Sequence, residues 1–279
     1  MPVHIITDGS SDLPAALRDA WNIRVVPLGV RFGADEFDST MPAAEFYARM
    51  RVSEGLPQTS SPSPHAFLEA FREAAPGEAI LVVTLSSALS STYQHAALGA
   101  TLFREERPDA SVAVIDSKTA SMGLGGIVYQ AAQLAAGGEP LERIEAAVER
   151  LVSTTRTEFV LDTLENVIKG GRLDRLRGAV ASMLNIKLLM HASEQGAVEV
   201  LEKVRGTSAA VKRMIERIES AKDDAANRLL SIAHSNAEAR AQELANRIME
   251  RYAFREVVVS DMGPVIGTYA GEGGLLVAY

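Results

Sequence analysis

The sequence predicts an α/β protein made of two α/β domains, the first built on a mostly parallel, doubly wound sheet. Short apolar runs alternate along the chain with stretches of helical periodicity. Two of those runs, Ala79–Thr84 and Val112–Asp116, are almost wholly apolar, as strands covered by helices on both faces are. A chain of 279 residues with 47% hydrophobic and 23% charged side chains is long enough for two cores and too apolar for disorder.

Val3–Thr7 reads as a buried strand ending at the turn-prone Asp8-Gly9-Ser10-Ser11-Asp12. Leu13–Trp21 has helical spacing, Arg24–Val30 reads as a second strand, and Phe46, Tyr47 and Met50 share one face of a short helix. Leu56–Pro64 reads as loop from its prolines, and a helix restarts over Pro64–Ala75. Ala79–Thr84 and Val112–Asp116 are strands, the first followed by a helix over His95–Phe103 and the second by one over Gly123–Ala136. Composition pauses at Gly137-Gly138-Glu139-Pro140, and the helix Leu141–Val152 carries Ile144, Val148, Leu151 and Val152 on one stripe. These marks divide the chain into residues 1–152 and 153–279. In the second part Phe159–Leu161, Val198–Val204, Leu229–Ala233 and Glu256–Ser260 read as strands. Thr163–Ile168 reads as a short helix closed by Gly170-Gly171. Thr207 or Ser208 caps a longer helix with Val211, Met214, Ile215 and Ile218 on its stripe, and another helix runs over Ala237–Tyr252.

Composition removes several function classes. Twenty-eight basic against 36 acidic residues give a net charge of −8, which repels phosphate backbones and argues against nucleic acid. With no cysteine, the chain has no thiolate chemistry, disulfide or cysteine-bearing metal site. The five histidines show no i, i+4 pair. Asp8, Asp12 and Asp116 form a candidate metal set, but turn initiation is the simpler account, and no metal is assigned. The opening residues lack a basic n-region, and no run approaches 18 apolar residues, so the expectation is a cytoplasmic protein without integral membrane association.

Two hydroxyl-rich turns carry the chemistry, Thr59-Ser60-Ser61-Pro62-Ser63 and Leu85-Ser86-Ser87-Ala88-Leu89-Ser90-Ser91-Thr92-Tyr93. The second follows a buried strand and opens a helix, where open α/β sheets bind ligands. Hydroxyls and unpaired backbone N–H groups there suit a single carboxylate, and neither segment contains Lys or Arg to hold a polyphosphate. Turn closure and helix capping explain the same residues, so both readings stand. Arg172 is a candidate partner for a ligand anion or for a protein carboxylate. An enzyme using the serine cluster, a hydrolase or a phosphotransferase, is the alternative. No G-x-S-x-G or G-x-x-x-x-G-K pattern supports it.

These stretches resemble the DegV family of bacterial fatty-acid-binding proteins over essentially the full length. The matching segments are residues 7–14, 57–63, 85–94, 116–123, 169–172 and 263–273, in that order. The resemblance implies two α/β domains with one acyl chain, such as palmitate, buried between them and no other cofactor. It implies that the hydroxyls of Thr59 or Ser60 and of Ser90 hold the carboxylate. In some members the bound fatty acid is presented to a separate kinase, feeding phospholipid synthesis. Two residues depart from the family pattern. Ser91 stands where Gly is common, adding a hydroxyl beside the carboxylate position. Tyr269 stands where His is common, and can donate a hydrogen bond but carries no positive charge at pH 7.

Overall fold

The computed structural model describes residues 1–173 and 185–279. Its first sheet contains β1 (Val3–Asp8), β2 (Arg24–Val26), β6 (Ala79–Thr84) and β7 (Val112–Asp116), in the order β2-β1-β6-β7, with every neighbouring pair parallel. All six residues of β6 are buried because both faces of the sheet are covered. Ile80 and Val82 pack with Phe67 and Phe71 of α3 (Pro64–Arg72) and Phe103 of α4 (Thr92–Glu106). Leu81 and Val83 join the core on the opposite face with Leu124 and Ile127 of α5 (Met122–Ala136) and Val148 of α6 (Leu141–Thr154). Between β1 and β2 the chain forms α1 (Ala15–Ala20).

The expected single strand Arg24–Val30 is two strands in two sheets. Pro27 has no N–H to continue a ladder, so β2 stops at Val26. Gly29–Phe32 then forms β3, the centre of a small antiparallel sheet between β4 (Asp35–Asp38) and β5 (Gln58–Ser60). β5 falls inside the segment expected to be loop: Thr59 pairs with Val30 across the ladder despite the flanking prolines. α2 (Ala43–Val52) links β4 to β5.

The second sheet is mixed and six-stranded, in the order β10-β9-β8-β13-β11-β12. Its strands are β8 (Thr157–Val160), β9 (Ile186–Ala192), β10 (Val198–Arg205), β11 (Leu229–His234), β12 (Glu256–Asp261) and β13 (Leu275–Ala278). Only β11 and β12 are parallel neighbours. Its outer face is covered by α8 (Thr207–Arg217), the 3-10 helix Ile218–Asn227 and α9 (Glu238–Met249) through Met214, Ile218 and Leu244. Two short helices, α7 (Glu165–Lys169) and α10 (Pro264–Ala270), complete the unit. β9, β13 and α10 have no counterpart in the sequence reading. At α8 the N-cap is Gly206, with φ of 85°, and no side chain caps the helix, so neither Thr207 nor Ser208 has the capping role expected of it. No described helix is long and apolar enough to cross a membrane.

The two sheets share α5, which packs on β1 and β6 on one side and on β11 and β13 on the other. Its first turns, Met122-Gly123-Leu124-Gly125-Gly126, are fully buried, and the glycines allow this double approach. A Cβ on Gly125 would lie 2.4 Å from the Ser11 carbonyl oxygen, and one on Gly126 would lie 2.6 Å from Ser231 Oγ. Gly125→Ala is therefore expected to lower stability by about 1–3 kcal/mol through overpacking, despite the better helix propensity of alanine. Gly55→Ala, with no atom within 4 Å of the new Cβ, should stay within about 0.5 kcal/mol of the parent. Urea midpoints of the two variants check both values.

Candidate functional site

The loops that leave the carboxyl ends of β1, β6 and β7 converge where the two units meet, and three aspartates fix their shape. Asp8, fully buried at the end of β1, accepts from Ser10 N at 2.9 Å, Ser10 Oγ at 2.6 Å and Leu85 N at 2.7 Å. It thereby ties the first turn to the start of the serine loop. Burial pushes its carboxyl upward, opposed by these three bonds. Asp116 accepts from the backbone N–H groups of Ser87 and Lys118 and from Lys118 Nζ at 2.8 Å. Asp12 bridges the units: Oδ1 accepts from Gly263 N at 2.8 Å and Oδ2 from Ser121 Oγ at 2.6 Å. Each aspartate holds a turn, and the described residues contain no cluster of three or more side chains suited to a metal ion. Asp12, Lys118 and Ser121 have φ of 52°, 56° and 55°, left-handed backbone that non-glycine residues adopt at a cost.

The loops after β6 and β7, together with β5, α10 and the mixed sheet, wall a cavity of about 350 Å³ between the units. All six residues singled out in the sequence, Thr59, Ser60, Ser90, Ser91, Arg172 and Tyr269, line it. Thr59 Oγ1 and the Tyr269 hydroxyl are 2.6 Å apart, joining β5 to α10 across 210 residues. The Arg172 guanidinium lies over the Tyr269 ring at 4.8 Å and donates to the Gly170 carbonyl at 2.6 Å. It is held there by the turn after α7, where Gly171 takes φ of 76°. Ser90, one residue before the N-cap Ser91 of α4, has its Oγ 2.9 Å from Thr92 Oγ1 and accepts from Thr92 N at 3.3 Å while it lines the cavity. Ser91 is exposed and its hydroxyl meets Ser61 Oγ at 2.8 Å, linking the two hydroxyl-rich turns at the rim.

Beyond the hydroxyls the wall turns apolar, with Leu161, Val167, Met262, Val265, Ile266 and Leu276 among its side chains. The far end is closed by Thr119 Oγ1 donating to Thr157 Oγ1 at 2.8 Å, which satisfies both residues against each other. The tip of the β9–β10 hairpin supplies Gly196 and Ala197. A Cβ on Gly196 would lie 2.1 Å from Ser86 Oγ and 2.9 Å from the Lys118 Cα, so the hairpin closes directly onto the serine loop. Sequence reasoning missed Ser61 as a site residue, although it stands in the first hydroxyl run. It also missed the apolar wall from α10, whose short Pro-Val-Ile-Gly segment has no helical period to read.

One family model, described as DegV, an uncharacterised protein family, matches residues 2–279. The chain belongs to the DegV family. It is 30% identical to a DegV domain-containing protein of Clostridium perfringens over 99% of this chain and 96% of that one. Among solved structures it is similar to a DegV family protein of Ruminococcus gnavus described with vaccenic acid, with a TM-score of 0.91, 30% identity and 99% of both chains covered. It is similar to a Thermus thermophilus DegV family protein described for fatty acid binding, with a TM-score of 0.89, 30% identity and coverage of 100% and 99%. It is also similar to the Fatty Acid Kinase B3 protein of Streptococcus pneumoniae, loaded with linoleic acid, with a TM-score of 0.87, 28% identity and coverage of 100% and 99%. The expected α/β architecture is the fold of these DegV structures.

Asp12 gives the junction a pH dependence. Burial pushes its carboxyl from 3.8 up to about 7, the Ser121 and Gly263 bonds oppose the shift, and Asp8 and Asp261 add repulsion. The folded state then holds a proton that the unfolded chain has released, so this group's contribution to stability falls as pH rises through that window and is flat above it. Asp12→Asn keeps an acceptor for Gly263 N–H and never ionises. The stability of the variant relative to the parent is expected to rise between about pH 4 and pH 7 and then level off, read from urea midpoints across that range. A constant difference contradicts the assignment.

Proposed function

We propose that this DegV protein binds one long-chain fatty acid in the cavity between its units and performs no chemistry on it. The observation that carries the reading is that hydroxyls of residues 59–61, 90–91 and 269, paired as Thr59–Tyr269 and Ser61–Ser91, line one cavity together with a largely apolar wall. Each buried methylene contributes about 0.8 kcal/mol, so the acyl tail supplies most of the affinity. The hydroxyls then keep the carboxylate from being buried without partners. In this reading Thr59, Ser60 and Ser90 hold the carboxylate directly, and Ser91 closes the rim with Ser61. Tyr269 donates where relatives commonly have His, and the Arg172 guanidinium above its ring supplies the positive charge that a neutral phenol lacks. The fatty acids named with the Ruminococcus, Thermus and Streptococcus relatives support the same ligand class.

A carrier is favoured over a hydrolase by His95, the imidazole nearest the hydroxyl cluster. Its Nδ1 lies 2.7 Å from the Pro62 carbonyl oxygen, which requires Nδ1 to carry the proton and donate it there. That nitrogen therefore cannot act as the base for Ser61, 3.3 Å away. The name Fatty Acid Kinase B3 borne by the Streptococcus relative supports presentation of the bound fatty acid to a separate kinase; a cytoplasmic location and delivery to phospholipid synthesis belong to the same proposal. A division into domains after residue 152 is supported by the strands: those of the parallel sheet all precede it and those of the six-stranded sheet all follow it.

Calorimetric titration of delipidated protein with palmitate tests the reading. One equivalent is expected to bind, and Ser90→Ala and Thr59→Ala should each weaken binding about tenfold to a hundredfold, as loss of a hydrogen bond to a charged group does. Tyr269→Phe should weaken it by about 0.5–3 kcal/mol. Tyr269→His should make affinity rise as pH falls through about 6.5, because imidazolium forms while the fatty-acid carboxylate stays ionised. Unchanged dissociation constants in all four variants would place the carboxylate elsewhere.

A further inference from the structure

A second cavity, of about 290 Å³, lies beyond the far wall of the first, between α5, α6 and the start of β11. The Thr119–Thr157 pair lines the first cavity, and Gly123 lines the second. A Cβ on Gly123 would lie 2.5 Å from both threonine hydroxyls, so the two cavities approach closely here, and no residue lines both. We propose that the second cavity is a binding site for a small acyl anion, a medium-chain carboxylate that carries an oxygen near the end of its chain.

Three features give the site this chemistry. At its inner end stands Ser231, 2% exposed, on a strand whose other residues are also buried. Its hydroxyl has no hydrogen-bond partner among the described residues, lines the cavity, and lies against the bare Cα of Gly126. The hydroxyl opens onto the cavity, so a hydrogen-bonding group placed there can pair with it. The middle is apolar, formed by Ile127, Leu151 and Leu229. At the open side are two guanidinium groups. Arg228 is engaged by Asp224 through Nε alone, at 2.9 Å. Arg150 is exposed on α6, and its side chain has no hydrogen bond or ion pair among the described residues. A carboxylate of medium length, such as octanoate, would place its charge at the arginines and its far end at Ser231.

The test uses protein whose first cavity has been filled with palmitate, titrated with octanoate and with ω-hydroxyoctanoate. One equivalent of each is expected to bind, the hydroxylated chain about tenfold more tightly, the worth of one neutral hydrogen bond. Ser231→Ala should erase that preference while leaving octanoate bound, and Arg150→Gln should weaken both ligands severalfold. Both substitutions are small, and neither touches the first cavity, so palmitate binding serves as the control for an intact fold. No uptake by the palmitate-filled protein, uptake that palmitate displaces, or affinities indifferent to both substitutions would each overturn the second site. None of these results bears on palmitate in the first cavity, so the two readings fail separately.

Discussion

The close approach of α5 to both sheets is the constraint on which the rest of the molecule depends. A helix packed on one sheet can carry side chains all round, because its outer face meets water. α5 has no outer face over its first turns, where Met122 through Tyr129 are all buried. Gly125 lets it settle against the Ser11 carbonyl on the side of the parallel sheet, and Gly123 and Gly126 let it settle against Thr157 and Ser231 on the side of the mixed sheet. The two units are thereby set at a fixed separation. Ser117–Ser121, which leads directly into this helix, is held at the depth where the Thr119–Thr157 bond can close the cavity. Cavities lie on either side of this partition, the first lined by Thr119 and Thr157 and the second by Gly123.

Within that frame the acidic residues act as architecture, and the neutral hydroxyls are left for the ligand. Asp8, Asp12 and Asp116 each spend their oxygens on backbone N–H groups and nearby side chains of the loops. A fatty-acid carboxylate brought to this end of the cavity therefore meets hydroxyl donors and one guanidinium, with the protein's carboxylates already engaged. Asp12, the only one of the three to reach across to the second unit, is raised by burial to about 7, and burial pushes Asp8 upward as well. Tyr47 supports the same junction by donating to the Met262 carbonyl at 2.9 Å.

Much of this was legible in the sequence, and the exceptions have physical reasons. Strand β6 and helices α3, α4, α5 and α6 stand where periodicity put them, since a fully buried strand and a striped helix are local signals. Arg24–Val30 was misread because an apolar run carries no mark of which sheet each half joins, and only Pro27 hints at the break. β5 was hidden by its proline neighbours, and β13, four residues long, is too short for a period. Thr59, Ser60, Ser90, Ser91, Arg172 and Tyr269 were found through motifs, and the fold brings all six to one cavity. The bond from Thr59 to Tyr269 was not legible, because no local rule connects residues 210 apart. The pairing of Ser91 with Ser61 was hidden for the same reason: the contact exists only once β5 and α4 are side by side.

An acyl chain held by its carboxylate in the cavity between the units is the proposal on which the function rests. It is tested most directly by denaturing the purified protein in organic solvent and identifying what is released by mass spectrometry. A long-chain fatty acid, near one equivalent per chain, is expected to be carried through purification. Protein that releases no lipid, and that acquires none after incubation with a mixture of long-chain fatty acids, would contradict it.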